Sequence, residues 1–342
     1  MEKDNWMGEP DYSGLHWFNR KSKETVMKRL YLVTSLLTAC LLLMNCKPDV
    51  VYTAVEELEF ADAVFRDCVV NEARKNKWVS AGHVLKLHCV NPTGRKISSL
   101  SGIEHLMNVE ELDLAHNAIV DLSPLTALNR LEHLNFDNNE ISLIPEGISH
   151  VSVTHMSFDH NRIRDINIFS VFQRLEYLNL SSNEINDISS LQSIHTLQVL
   201  NLSQNNISDI GALESLQKLR ALDLGNNHIS SVSALGSLRR LEHLNLKNND
   251  ISDLSPLSGL SELREIDLSS NEVKNIQPLI VLESIWRLSL DHNPIESAEP
   301  LLDFGEIEFI SLRGVEGLSC AIITRLIEEV GEDALIMDSD CL

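Results

Sequence analysis

Asparagine recurs at positions 117, 139, 161, 183, 205, 227, 249, 271 and 293, an unbroken spacing of 22 residues. A period held this long means that every span of 22 residues is one structural turn related to its neighbours by the same step, so the chain stacks rather than closes on itself. Aligning on the asparagine gives nine units filling residues 109–306. In the unit that starts at Leu241, Leu244, Leu246, Ile251, Leu254, Leu257 and Leu260 put apolar side chains at unit positions 4, 6, 11, 14, 17 and 20.

The period of the apolar pattern changes within each unit. Positions 4 and 6 alternate with polar residues, as in Leu244-Asn245-Leu246, which predicts a short strand with one buried face. Positions 11, 14, 17 and 20 recur every third residue, which suits 3₁₀ or short helical turns on the outside. Ser-Pro at 123–124 and 255–256 reads as a helix N-cap followed by its first residue. A single unit cannot bury its apolar stripe, so stacked units share one core. Strands repeat every ~4.8 Å and helical turns need more width. The stack therefore curves, with parallel strands on its concave face.

The frame L-x-x-L-x-L-x-x-N-x-I resembles the leucine-rich repeat family, specifically its 22-residue internalin-like class, over residues 84–312. That resemblance implies an α/β solenoid, a curved right-handed horseshoe with a parallel β-sheet inside, 3₁₀ or short helices outside and helical caps at both ends. It also implies that the recurring asparagines form an internal hydrogen-bond ladder. The residues agree, because a buried amide is tolerated only when paired.

Solenoid ends expose apolar faces and need caps. Residues 58–108 supply the first: Phe60, Val64, Phe65, Cys68 and Val69 mark one face of a helix running to about Lys75. Val84-x-x-Leu87-x-Cys89 then reads as an irregular first strand, and Cys89 to Ile97 is three residues longer than in a standard unit. Residues 307–342 supply the second: Ile307, Ile310 and Leu312 open a tenth unit without the asparagine, and Ile322, Ile323, Leu326, Ile327 and Val330 form an amphipathic helix ending at Gly331. Four cysteines allow three pairings. Cys68–Cys89 and Cys320–Cys341, each closing one cap, are expected, against the alternative of four buried free thiols. Such bonds form in an oxidising compartment.

The amino terminus reads as an address. Lys28-Arg29 precedes an apolar run from Leu30 to Met44, fifteen residues, shorter than the ~17–25 a membrane span needs. A basic start and a short apolar run fit a signal peptide over 27–45, with residues 1–26 as an upstream extension and 46–57 as a linker. The run resembles a bacterial lipoprotein signal, which implies lipidation at Cys46, with Cys40 as the alternative site. Cys46 leaves an even set of later cysteines. The expected location is the bacterial cell envelope, at the outer membrane on its periplasmic or surface side, with membrane contact through the lipid alone.

Fifty acidic against 28 basic residues give a net charge of −22, which argues against a nucleic-acid partner and is compatible with a basic protein. From Glu283 to Leu342 there are fourteen acids and only Arg287, Arg313 and Arg325, a solubilising end or a docking surface. Positions 2, 3, 5, 7 and 8 should line the concave face. There Tyr177, Trp286, Arg287 and Phe309 are the candidate contacts, being residue types enriched among binding hot spots. His133 and His155, with Asp137, Asp159, His116 and His160 nearby, could in principle hold zinc. A solvated histidine cluster is the stronger reading, and no metal or cofactor is expected. No Gly-rich phosphate loop, G-x-S-x-G elbow or H-E-x-x-H motif is present, so the chain reads as a non-enzymatic, monomeric protein-binding scaffold. An intracellular scaffold like the phosphatase-regulator branch of these repeats, or a glycan- or peptidoglycan-binding protein, are the other readings.

Overall fold

The alternation at positions 4 and 6 becomes a three-residue strand in every coil. The computed structural model of the chain describes residues 54–148, 152–305, 307–331 and 334–338. The strands are β1 (Lys86–His88), β2 (Glu111–Asp113), β3 (His133–Asn135), β4 (His155–Ser157), β5 (Tyr177–Asn179), β6 (Val199–Asn201), β7 (Ala221–Asp223), β8 (His243–Asn245), β9 (Glu265–Asp267), β10 (Arg287–Ser289), β11 (Phe309–Ser311) and β12 (Leu335–Ile336). All lie in one sheet in chain order. Each pair is parallel and, from β2 to β11, in register at 22 residues, as in Leu200↔Leu222. Ala54–Leu342 forms one compact unit, and no helix among the described residues is long and apolar enough to cross a membrane. Cys40, Cys46, the extension 1–26 and the signal segment 27–45 lie outside the described residues, as does most of the linker 46–57.

One continuous core fills the stack. Leu200, Leu202, Ile207, Leu213, Leu216 and Leu219 are fully buried in one coil, and the same positions are buried along the array. Phe136 and Phe158 stack at 5.6 Å between ring centroids, and Phe158 meets Phe169 edge-on at 6.4 Å. The outer side is made of 3₁₀ turns such as Ser123–Ala127 and Ser255–Gly259.

Contrary to the Ser-Pro reading, neither Ser123 nor Ser255 is an N-cap. Ser123 and Ser255 are inside the turns, and the residues before them make no side-chain cap. The cap comes from one residue earlier still: Asp121 Oδ1 accepts from Ser123 N–H at 2.8 Å and Asp253 Oδ1 from Ser255 N–H at 2.9 Å. The Ser123 hydroxyl and backbone hold the Asp121 carboxyl below its ordinary range, as Ser255 does for Asp253. Asp165, Asp187 and Asp209 repeat the device.

Each asparagine amide ties two coils together. Asn205 Nδ2 donates to the carbonyls of Leu180, Leu202 and Ser203 at 3.0, 3.1 and 3.2 Å, and its Oδ1 accepts from Ile185 N–H at 3.0 Å. The pattern repeats at Asn139, Asn161, Asn183, Asn227, Asn249, Asn271 and Asn293, all at most 9% exposed. At the amino end Asn117 Oδ1 takes Ile97 N–H and the Asn91 amide at 2.9 and 2.8 Å. The longer Cys89–Ile97 interval thus feeds the start of the ladder. At the other end Val315 stands 22 residues after Asn293 and is buried instead. The residue before each asparagine, from His116 (φ 60°) to His292 (φ 53°), adopts the left-handed conformation. His, Asn, Ser and Gln occupy these sites and no β-branched residue does, as that backbone demands.

The caps are helix α1 (Ala63–Asn76) and helix α2 (Cys320–Val330). Asp62 caps α1, accepting from Val64 and Phe65 N–H at 2.8 and 3.0 Å, while Phe65, Val69 and Ala73 face the core. Cys68 on α1 is bonded to Cys89 beside β1, with Cα atoms 5.9 Å apart. Cys320 is also disulfide-bonded, and Cys341 lies outside the described residues. Strand β12 was not expected: after α2 ends at Gly331 (φ 90°), Leu335 and Ile336 pair with β11.

Candidate functional site

In-register strands turn each unit position into a column across the concave sheet. Position 3 runs Glu111, His133, His155, Tyr177, Val199, Ala221, His243, Glu265, Arg287 and Phe309, half-buried throughout. Position 5 differs from the sequence expectation. Asp223, Asp267, Ser289 and Ser311 are buried there, and the Asp and Asn side chains fold back on the main chain. Asp113, Asn135, Asn179, Asn201, Asp223, Asn245 and Asp267 each accept through Oδ1 from the N–H two residues on, an Asx turn that ends the strand. Where position 5 of β4 is Ser157, the preceding coil substitutes: Asp137 Oδ1 accepts from the Ser157 hydroxyl at 2.6 Å and from Asp159 N–H at 2.7 Å. Asp291 does the same for Ser311 and Arg313. Position 5 is therefore scaffold, and position 7 is buried in the same way at Ala115, Ser181, Ser203 and Ser269, so positions 2, 3 and 8 remain the candidates for contact.

The named contact residues fall in two places. Arg287 on β10 and Phe309 on β11 are register partners, and the guanidinium carbon sits 4.5 Å from the Phe309 ring centroid. Trp286 precedes Arg287 and is half-buried. Tyr177 is remote from these, in a column with His155 (rings stacked, 5.9 Å) and His133 (edge-to-face with His155, 4.6 Å). Burial and the facing His133 lower the His155 pKa. His160 Nδ1 lies 2.7 Å from Asp159, Asp137 is engaged as above, and His116 and His160 occupy left-handed positions. Among the described residues no group of three or more His, Cys, Asp or Glu is arranged to hold a metal ion.

Burial also perturbs the carboxylates. Burial pushes Asp137 and Asp223 up to about 6 and raises Asp113 and Asp267. A carboxyl whose folded pKa is raised contributes stability that is full below the unfolded value near 4 and is lost as pH rises through about 6. The loss is on the order of 2–3 kcal/mol at most for each of the two strongest cases. We expect Asp223→Asn, which installs the residue found at Asn201 and Asn245, to raise the melting temperature at pH 7 and leave it nearly unchanged at pH 4. Thermal melts across that window check this, and an equal shift at both pH values would contradict it.

The family model for Leucine Rich repeats (2 copies) matches residues 108–150, 195–237 and 239–281, and the model for a single Leucine Rich repeat matches 173–188. Over these stretches the chain carries leucine-rich repeats. Within that class its solenoid is internalin-like. An internalin (InlF) from Listeria monocytogenes aligns at TM-score 0.69 and 23% identity, over 86% of this chain and 95% of that one. Internalin C2 (InlC2) from the same organism aligns at 0.53 and 25%, over 71% and 100%. The functional domain of its InlJ, which includes a cysteine ladder, aligns at 0.63 and 19%, over 80% and 65%. Among curated protein sequences none matches this chain significantly.

Proposed function

We propose that this chain is a non-enzymatic scaffold, exported and held to the cell envelope by a lipid on Cys46 (or Cys40), that binds a protein partner through its concave face. The observation that carries the reading is the cluster at its C-terminal end. Trp286, Arg287 and Phe309 gather large side chains of the hot-spot types at one end of the sheet, and such residues carry binding energy out of proportion to their number. The Cys68–Cys89 bond favours export over the intracellular alternative. In the native cell, palmitate labelling should vanish with Cys46→Ala, and proximity labelling should identify a partner. Capture of that partner should fall at least about tenfold with Trp286→Ala/Phe309→Ala. Undiminished capture by this double variant would overturn the assigned face, and palmitate incorporation that survives loss of both Cys46 and Cys40 would overturn the anchor.

A further inference from the structure

The concave sheet has two chemically unlike halves. Toward the C-terminus, acids and guanidinium groups alternate. Glu242 is paired with Arg220 and lies 3.7 Å from Arg264; Glu265 lies 3.3 Å from His243; and Arg287 covers the Phe309 ring. The N-terminal half carries the same acids and rings without the arginines. Glu110, Glu132 and Glu176 occupy position 2, and His133, His155 and Tyr177 occupy position 3, while from Glu110 to Gln204 no Lys or Arg stands at positions 2, 3, 5, 7 or 8. Glu132 N–H donates to the Glu110 carbonyl at 2.8 Å, so these two carboxylates project from adjoining coils. Neither has an ion-pair partner among the described residues. Like charges on adjacent strands at ~4.8 Å are unfavourable until a cation is shared between them.

We propose that this N-terminal half docks an extended, arginine-bearing segment of the protein partner. This rests on the concave-face reading above and adds to it the chemistry of one stretch of that partner. The C-terminal half shows what completes such a surface, since there the chain's own guanidinium groups sit between carboxylates and over a ring. Arginine suits this half better than lysine. Its planar fork reaches two carboxylates at once, and its flat face lies against an aromatic ring. The groups facing the His133–His155 pair are Lys86 and His88 from β1, Glu110, Glu111 and Asp113 around β2, Glu132 and Asp137 around β3, Asp159 after β4, and Glu176 and Tyr177 at β5. Burial lifts the Asp137 carboxyl to about 6, so acidification through that value removes negative charge from this face and docking weakens as pH falls.

The test uses the Ala54–Leu342 region within the full chain and a short, labelled, alternating arginine–serine peptide read by fluorescence anisotropy. Glu110→Gln/Glu132→Gln/Glu176→Gln should weaken binding about tenfold. Glu283→Gln/Glu299→Gln/Glu316→Gln, which removes the same charge from exposed sites off the sheet, should change it less than about twofold. Binding should also weaken between about pH 7.5 and about pH 5.5. An equal loss in both triple variants, no binding at all, or equal affinity for a lysine–serine peptide would each overturn the inference. The Trp286/Phe309 capture experiment is independent of these outcomes, so failure here leaves the concave-face reading standing on its own test.

Discussion

Asn205→Ala lowers the melting temperature of the solenoid by roughly 10 °C. The side chain is 6% exposed and satisfies four main-chain groups in two coils, three carbonyls and the Ile185 N–H. Alanine leaves that N–H and at least one carbonyl without a partner in a site with no room for bulk water. At about 1–3 kcal/mol for each stranded group the loss is roughly 3–5 kcal/mol, and for a domain of ~150–250 residues each kcal/mol is worth ~2–4 °C. Asn206→Ala, one residue on and exposed, is the control and should move the melt by less than about 0.5 kcal/mol. Calorimetry of the two variants checks the pair. Equal melts for both would show that the amide column does not bind the coils together. Because each coil touches only its neighbours, amide exchange should rise first between Leu180 and Asn227.

Breaking the Cys68–Cys89 bond costs about 3 kcal/mol by the loop-entropy relation, given a sequence separation of 21. The consequence is local. Helix α1 packs against β1, and its buried Phe65 and Val69 belong to the same core as Leu87. Cys68→Ala/Cys89→Ala should therefore free α1 to exchange and to be cut by proteases well before the repeats open, while the centre of the array keeps its protection. Hydrogen exchange read by mass spectrometry separates this from a uniform loss, which would mean that the cap and the repeats unfold as one unit. Reductant should reproduce the effect in the unmodified chain.

How much of this was legible in the sequence depends on whether the responsible residue repeats in phase. Asn205 and its counterparts are visible because one amide serves four backbone groups and nothing else of that size can, so the position never varies. Leu244, Leu246 and Ile251 are visible because burial admits only apolar side chains. Asp121 as the true turn cap is harder to see, since Ser, Asn and Leu stand at the same unit position elsewhere, as at Ser231, Asn275 and Leu143. Position 5 misleads for another reason. Asp, Asn and Ser there look like a hydrophilic surface, yet they are bent onto the backbone and partly buried. Strand β12 is only Leu335–Ile336, too short to show a period, and it forms because β11 offers it an open edge. At the candidate site, types and columns were readable, and the pairing of Arg287 with Phe309 follows from register. The contrast between an arginine-filled half and an arginine-free half emerges only when the columns are laid side by side.

The uniform register from β2 to β11 has an evolutionary corollary. A deletion or duplication of one whole unit rejoins like with like at every hydrogen bond, so such events are cheap for folding. What changes is the reach between the ring column at Tyr177 and the aromatic pair at Phe309, six strands further on. That reach can lengthen or shorten only in increments of ~4.8 Å. A lineage could therefore retune which ligands span both ends by adjusting copy number, without inventing a single new contact.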